Sequence, residues 1–190
     1  MRLILASSSP RRQDLLRSAG FEFEVRPSSV AEESLPGEAP VAFVRRLACE
    51  KARKVAVESP AESLVLGADT SVVVDGDILG KPADPEDASR MLRMLSGRSH
   101  EVLTGVCLVR APSRLEALEH SSTLVWFREL SDAEIRDYVA SGEPFDKAGA
   151  YAIQGRASRF VTRIDGCYSN VVGLPVSLAD RMLRGVRIAV

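Results

Sequence analysis

Residues 64–82 read LVLGADTSVVVDGDILGKP, and the reading of this stretch decides the fold class. Residues 64–66 and 71–74 are, apart from Ser71, apolar and rich in β-branched side chains, which predicts strand on either side of a small polar cluster, Gly67, Ala68, Asp69 and Thr70. Asp75, Gly76 and Asp77 supply a turn tight enough for a hairpin. Upstream, residues 40–57 place Val44, Leu47, Ala48 and Val55 at helical spacing. Downstream, Asp84 and Pro85 open a helix whose stripe is Ala88, Met91, Leu92 and Leu95, and Ser96 and Gly97 stop it. Strands alternating with helices predict an α/β fold, and the hairpin argues against a purely parallel sheet.

Further out, residues 3–6 form a short apolar strand, followed by Ser7, Ser8 and Ser9 and a helix through about residue 19. Ser9 suits the N-cap, Pro10 the first helical position, and Gly20 a left-handed stop. Residues 102–109 and 124–127 read as strands. Ser131 and Glu134 have capping-box spacing, with Leu130 and Ile135 as a staple, before a helix to about Ala140. A strand over 160–164 and a helix over 177–183 complete the pass. No linker, repeat or low-complexity segment divides the chain, so one domain over residues 1–190 is expected.

With 25 Lys+Arg against 26 Asp+Glu, the net charge of -1 provides no global field for nucleic acid or a membrane surface. Aromatic residues are 5% of the chain, too few for a basic-aromatic stacking platform, so no stable nucleic-acid partner is expected. No apolar run approaches the roughly 20 residues a bilayer span needs. Cys49, Cys107 and Cys167 are odd in number and widely spaced, unlike a disulfide scaffold or zinc knuckle. No export signal is read at the N-terminus, where the arginines follow the apolar stretch, and a cytoplasmic location is expected.

The chemistry-bearing residues carry both signs of charge. Ser7, Ser8 and Ser9 with Arg11 and Arg12 combine hydroxyls, a helix start and fixed positive charge, a combination that suits phosphate and equally suits a capped surface helix. Neither a P-loop nor a dinucleotide fingerprint is present. Asp69 lies in an apolar strand, where a carboxylate requires a cation, a metal or hydrogen-bond donors. Lys51 shares the apolar stripe of its helix, so its stem snorkels or its ammonium reaches a functional group. Lys81 follows Gly80 after the hairpin, and Glu32 and Glu33 pair in a loop, where they fit a metal or water role as well as a solvated one. His100 and His120 are isolated and read as structural or surface residues.

SSSPRR, AEE, RLACEKA, LGADTSVVVDGDILGKP, MLRMLSGRSHEVLTGV, DKAGAYAIQG and NVVGLP occur in one order along nearly the whole chain. In them the sequence resembles the Maf family of nucleotide pyrophosphatases. The resemblance implies a mixed, elongated, twisted sheet flanked by helices, with a central nucleotide-binding cleft, like inosine triphosphate pyrophosphatases. It implies hydrolysis of a nucleoside triphosphate to monophosphate and pyrophosphate with Mg²⁺ or Mn²⁺, often by a homodimer. Asp69 is then the general base, Ser7, Ser9 and Arg12 receive triphosphate, Lys51 and Lys81 are charged site residues, and Glu33 joins Asp69 at the metal.

Arg12, Thr70 and Gln154 resemble the branch acting on dTTP and UTP, not the one acting on 7-methyl-GTP. Gln154 offers a donor and an acceptor, as a uracil or thymine edge requires. Two alternatives accompany this reading: a broad noncanonical nucleotide pyrophosphatase, and a nucleotide-binding regulator of septum formation.

Overall fold

A computed structural model describes residues 2–188. The elements are β1 (Leu3–Leu5), α1 (Pro10–Ser18), β2 (Glu24–Val25), α2 (Pro40–Val57), β3 (Leu64–Val74), β4 (Asp77–Leu79), α3 (Pro85–Leu95), β5 (Ser99–Arg110), β6 (Arg114–Phe127), α4 (Asp132–Ala140), β7 (Val161–Asp165), α5 (Tyr168–Val172) and α6 (Val176–Ile188). The hydrogen-bonded strand order is β2-β1-β3-β5-β6-β7, with β4 on β3. The sheet is mixed: β1 pairs parallel with β2 and β3, whereas β3–β4 and β6–β7 are antiparallel. The expected mixed α/β class, a twisted sheet flanked by helices, therefore holds.

The chain divides into two compact units, Met1–Thr70, Thr104–Ser121 and Gly173–Val190 in the first, Ser71–Leu103 and Ser122–Val172 in the second. In the first unit the period-2 alternation of the strands sorts side chains onto two faces. Leu3, Leu5, Leu64 and Leu66 pack with Leu16 of α1 and Met182, Leu183 and Val186 of α6. Ile4, Ala6 and Val65 pack on the opposite face with Ala48, Cys49, Ala52 and Val55 of α2. Helix α2 lies unusually close to the strands beneath it. A Cβ at Gly67 would stand 2.2 Å from the Ala48 carbonyl oxygen, and one at Gly105 would stand 2.2 Å from that of Val44. Only glycine leaves room for backbone on backbone at these two points.

The second unit has its own core, in which Ala88, Met91, Leu92 and Leu95 of α3 meet Ile135, Tyr138 and Val139 of α4, with Phe127, Tyr151 and Phe160. Its helices start as anticipated. Asp84 caps α3 by accepting from the Asp87 amide, and Ser131 and Glu134 form a reciprocal capping box on α4.

Three expectations change. Strand β3 runs unbroken through Gly67–Thr70, because its polar cluster is satisfied by side chains outside the strand (below). Strand β6 begins at Arg114, ten residues before the expected 124: among residues 114–122 polar side chains interrupt Leu115, Ala117 and Leu118, and none of the nine is buried, which left no clean apolar alternation. The two-residue β2 and the five-residue α5 were too short to leave a periodic signal.

Candidate active site

The alternation of β3 sends neighbouring residues to opposite faces. Asp69 shares the parity of Val65 and Gly67, on the α2 side, and Thr70 faces the other way. Lys51 lies one turn from Leu47 and Val55 on the buried stripe of α2, and the close approach at Gly67 brings its ammonium to the Asp69 carboxylate. Lys51 Nζ donates to Asp69 Oδ1 at 2.6 Å and to Glu32 Oε1 at 2.5 Å. Lys51 and Asp69 are only 6% and 5% exposed, so each partner cancels much of the other's desolvation cost.

Burial nonetheless pushes the Asp69 carboxyl above its ordinary range, against the pull of Lys51 and Arg12 and helped by the Glu32 charge. The carboxylate loses nearly all of its water, and that loss outweighs the attraction of one lysine and one arginine.

Thr70 meets the first loop. Arg12, in the first turn of α1, donates from Nε to the Gly173 carbonyl at 2.8 Å, from Nη1 to Ser7 Oγ at 3.2 Å and from Nη2 to Thr70 Oγ1 at 3.1 Å. Thr70 Oγ1 also donates to the Gly173 carbonyl at 3.1 Å and lies 2.9 Å from Thr104 Oγ1. Ser9 caps α1 by accepting from the Arg12 amide, and its own amide donates to Ser7 Oγ. These bonds occupy three of the guanidinium's five N–H groups and fix its plane at the helix start. Burial lowers the Arg12 pKa, opposed by Asp69 and Glu32, yet an arginine stays charged at neutral pH.

The loop before α2 is tied from two sides. Lys54 Nζ donates to the Ser29 carbonyl, and Arg46 Nη2 to the Glu33 carbonyl at 3.0 Å. Arg46 also holds Glu38 through two bonds of 2.6 and 2.7 Å and pushes its carboxyl down to about 2. The exposed side chain that this loop delivers to Lys51 is that of Glu32, next to the Glu33 expected at the metal.

Ser7, Ser9, Arg12, Glu33, Lys51, Asp69 and Thr70 thus all belong to the first unit, whereas Lys81 and Gln154 belong to the second. Lys81 is exposed, immediately after Gly80, whose carbonyl accepts the Gly149 amide at 3.0 Å. Gln154 is exposed in the turn before the 3-10 helix Arg156–Phe160.

Two contributors escaped the sequence reading, Thr104 and Gly173, while Glu32 was read only as half of an acidic pair whose site role went to Glu33. Gly173 has φ +134 and contributes through its carbonyl, and its place within NVVGLP was the only available sign. Among the described residues, no group of three or more His, Cys, Asp or Glu is placed to hold a metal ion, and no helix is long and apolar enough to cross a membrane.

A sequence model described as Maf-like protein matches residues 2–186. The chain is 54% identical to a dTTP/UTP pyrophosphatase of Koribacter versatilis, over 97% of this chain and 94% of that one. It is 55% identical to a protein of the same name from Symbiobacterium thermophilum, over 95% and 92%, and 55% identical to one from a Geobacter species, over 92% and 90%. A solved nucleoside-triphosphatase / dITP/XTP pyrophosphatase from Mycobacterium abscessus is 17% identical with a TM-score of 0.42, over 67% of this chain and 73% of that one. On the match across residues 2–186 and on relatives sharing more than half of their residues with it, the chain belongs to the Maf family.

Proposed function

We propose that this chain, as one nucleotide pyrophosphatase domain over residues 1–190, hydrolyses dTTP and UTP to the nucleoside monophosphate and pyrophosphate and so limits excess or noncanonical nucleotides. The observation that carries the reading is a buried carboxylate, Asp69, held against Lys51 at 2.6 Å within a chain 54% identical to a dTTP/UTP pyrophosphatase. A cytoplasmic homodimer is the working form.

Ser7, Ser9 and Arg12 receive the triphosphate. Arg12 has two N–H groups beyond its three bonds, enough for a bidentate grip on phosphate oxygens. Lys51 and Lys81 supply compact positive charge where negative charge accumulates on the leaving pyrophosphate. Asp69 is the general base. Its Oδ1 is held by Lys51 and its Oδ2 takes the proton from water. The water oxygen bonds to the α-phosphorus, the bond from that phosphorus to the α–β bridging oxygen breaks, and pyrophosphate leaves with the electron pair. Thr70 fixes Arg12, and Gln154 reads the base edge.

The residues fit a divalent cation. Carboxylate oxygens of Asp69 and Glu32 already converge on one positive centre, the Lys51 ammonium, and Glu33 lies beside them in the sequence. One or two carboxylates completed by phosphate and water oxygens suit Mg²⁺ or Mn²⁺, which do not need a cage of three protein ligands. When bound, such an ion neutralises phosphate charge and lowers the barrier to attack at phosphorus.

The test is product formation by purified protein with Mg²⁺ or Mn²⁺ on dTTP, UTP, CTP, GTP, ITP and 7-methyl-GTP. Conversion of dTTP and UTP at least about tenfold faster than the others is expected, a ratio within reach of one pair of base-edge hydrogen bonds. Equal rates on all would favour a broad pyrophosphatase. Binding without turnover would favour the septum-formation regulator.

A further inference from the structure

Gln154 sits in a turn that is gripped on both sides by one pair of side chains. Two residues before it, the Ala152 amide donates to the Tyr138 hydroxyl oxygen at 3.2 Å. Two residues after it, the Arg156 amide donates to Glu143 Oε2 at 3.0 Å. The two acceptors are joined to each other, because the Tyr138 hydroxyl donates to Glu143 Oε1 at 2.8 Å. The turn itself closes by a bond from the Gly155 amide to the Ala152 carbonyl at 3.0 Å.

Glu143 also fills the space beside Gly155, where a Cβ would stand 2.2 Å from its Oε1. The pair is anchored behind. Tyr138 is fully buried on α4, with its ring edge-on to Phe160 at 5.3 Å. Glu143 is fixed by the left-handed Gly142 that precedes it. Burial and the adjacent carboxylate push the Tyr138 hydroxyl above its ordinary pKa, which keeps it a donor at neutral pH.

We infer that Glu143 and Tyr138 are positioning residues for base selectivity, clamping the backbone on either side of Gln154 so that its amide approaches the base from one direction. The inference rests on the proposed reading of Gln154 as the base-edge residue. Its physical need is specific. A side-chain amide turned over presents donor and acceptor in the reverse order, and that reversed order suits the edge of cytosine. A glutamine on a loose turn can adapt to both bases, so preference for uracil requires the turn to be held.

The experiment compares the UTP to CTP ratio of kcat/KM, with amide hydrogen exchange at Ala152 and Arg156, in Tyr138→Phe, Glu143→Ala, Glu143→Gln, Gln154→Ala and the double variant Glu143→Ala with Gln154→Ala. Tyr138→Phe keeps the ring in place, so a fold defect does not stand in for the effect. Tyr138→Phe and Glu143→Ala are expected to lower the ratio about tenfold and speed exchange at both amides, while Glu143→Gln, which still offers an acceptor to Arg156, retains most of the selectivity. The double variant is expected to match Gln154→Ala, since a clamp has nothing to position once the amide is gone.

If Gln154→Ala lowers the ratio while Glu143→Ala and Tyr138→Phe leave both ratio and exchange unchanged, the clamp is overturned and the reading of Gln154 survives. If Gln154→Ala leaves the ratio unchanged, the base-edge reading fails, and the selectivity role of the clamp fails with it even where exchange accelerates.

Discussion

The two regions that carry the proposed chemistry are built on different principles. Around Asp69, packing does the positioning: α2 lies close enough to β3 at Gly67 and to β5 at Gly105 to press a buried lysine against a buried aspartate. Around Gln154, hydrogen bonds from backbone to side chain do it, and the functional side chain itself remains exposed. A site made by packing couples chemistry to stability, so damage to one appears in both. A turn held by two acceptors can loosen while the core beneath it stays intact. Damage to the packing of the first region should therefore lose rate and fold together, whereas damage to the second should lose selectivity.

The largest expected effect breaks the first region chemically. Asp69→Asn keeps an oxygen for Lys51 but cannot take a proton, so kcat should fall by about three orders of magnitude while the folded state persists, read by steady-state kinetics beside circular dichroism. The wild-type rate should also fall on the acid side with an apparent pKa above the usual carboxylate value, because burial raises Asp69 and the protonated form is no base. Full activity in Asp69→Asn would remove it from the chemistry.

Next comes the packing itself. A methyl group at Gly67 meets backbone, the Ala48 carbonyl oxygen and the Ala52 amide nitrogen at 2.2 and 2.8 Å, so neither neighbour can rotate away. Gly67→Ala should cost about 1–3 kcal/mol in chemical denaturation and lower kcat as Lys51 shifts. A stable, fully active variant would show that α2 does not set the Lys51–Asp69 contact.

The smallest effect compares the units through their surface ion pairs. Arg46 and Arg128 hold Glu38 and Glu134 down to about 2, well below the value of 4.5 each would have in an unfolded chain. A carboxyl whose folded pKa is depressed contributes stability that is present above the unfolded value and lost as pH falls toward the folded one. Glu38→Gln and Glu134→Gln should each flatten part of the decline in thermal stability between pH 4.5 and about 2, by a small amount because the groups are near water. An unchanged slope would mean the arginines do not hold these acids in solution.

Much of this was legible in the residues because it follows from local rules. Capping at Ser9, Asp84 and Ser131, the Asp75–Gly76 turn and the buried stripe of α2 all act within a few residues, and a lysine on that stripe already required a partner. What escaped is non-local or made of backbone. The polar cluster of β3 looked like a break because its partners lie 18 residues away for Asp69 and 58 for Thr70. The Gly173 carbonyl has no side-chain signature, and two adjacent glutamates in a loop differ only in the direction the chain happens to point them. In the outer half of β6 Ala117 and Leu118 pack on opposite faces and no residue from 114 to 122 is buried, so no single-faced alternation marked it.

Attack by water on the α-phosphorus is read out by running the reaction in water enriched in heavy oxygen and weighing the products by mass spectrometry. One heavy oxygen is expected in dTMP or UMP and none in the pyrophosphate. Heavy oxygen in the pyrophosphate, or release of a nucleoside diphosphate with labelled orthophosphate, would place the attack at a different phosphorus and contradict this mechanism.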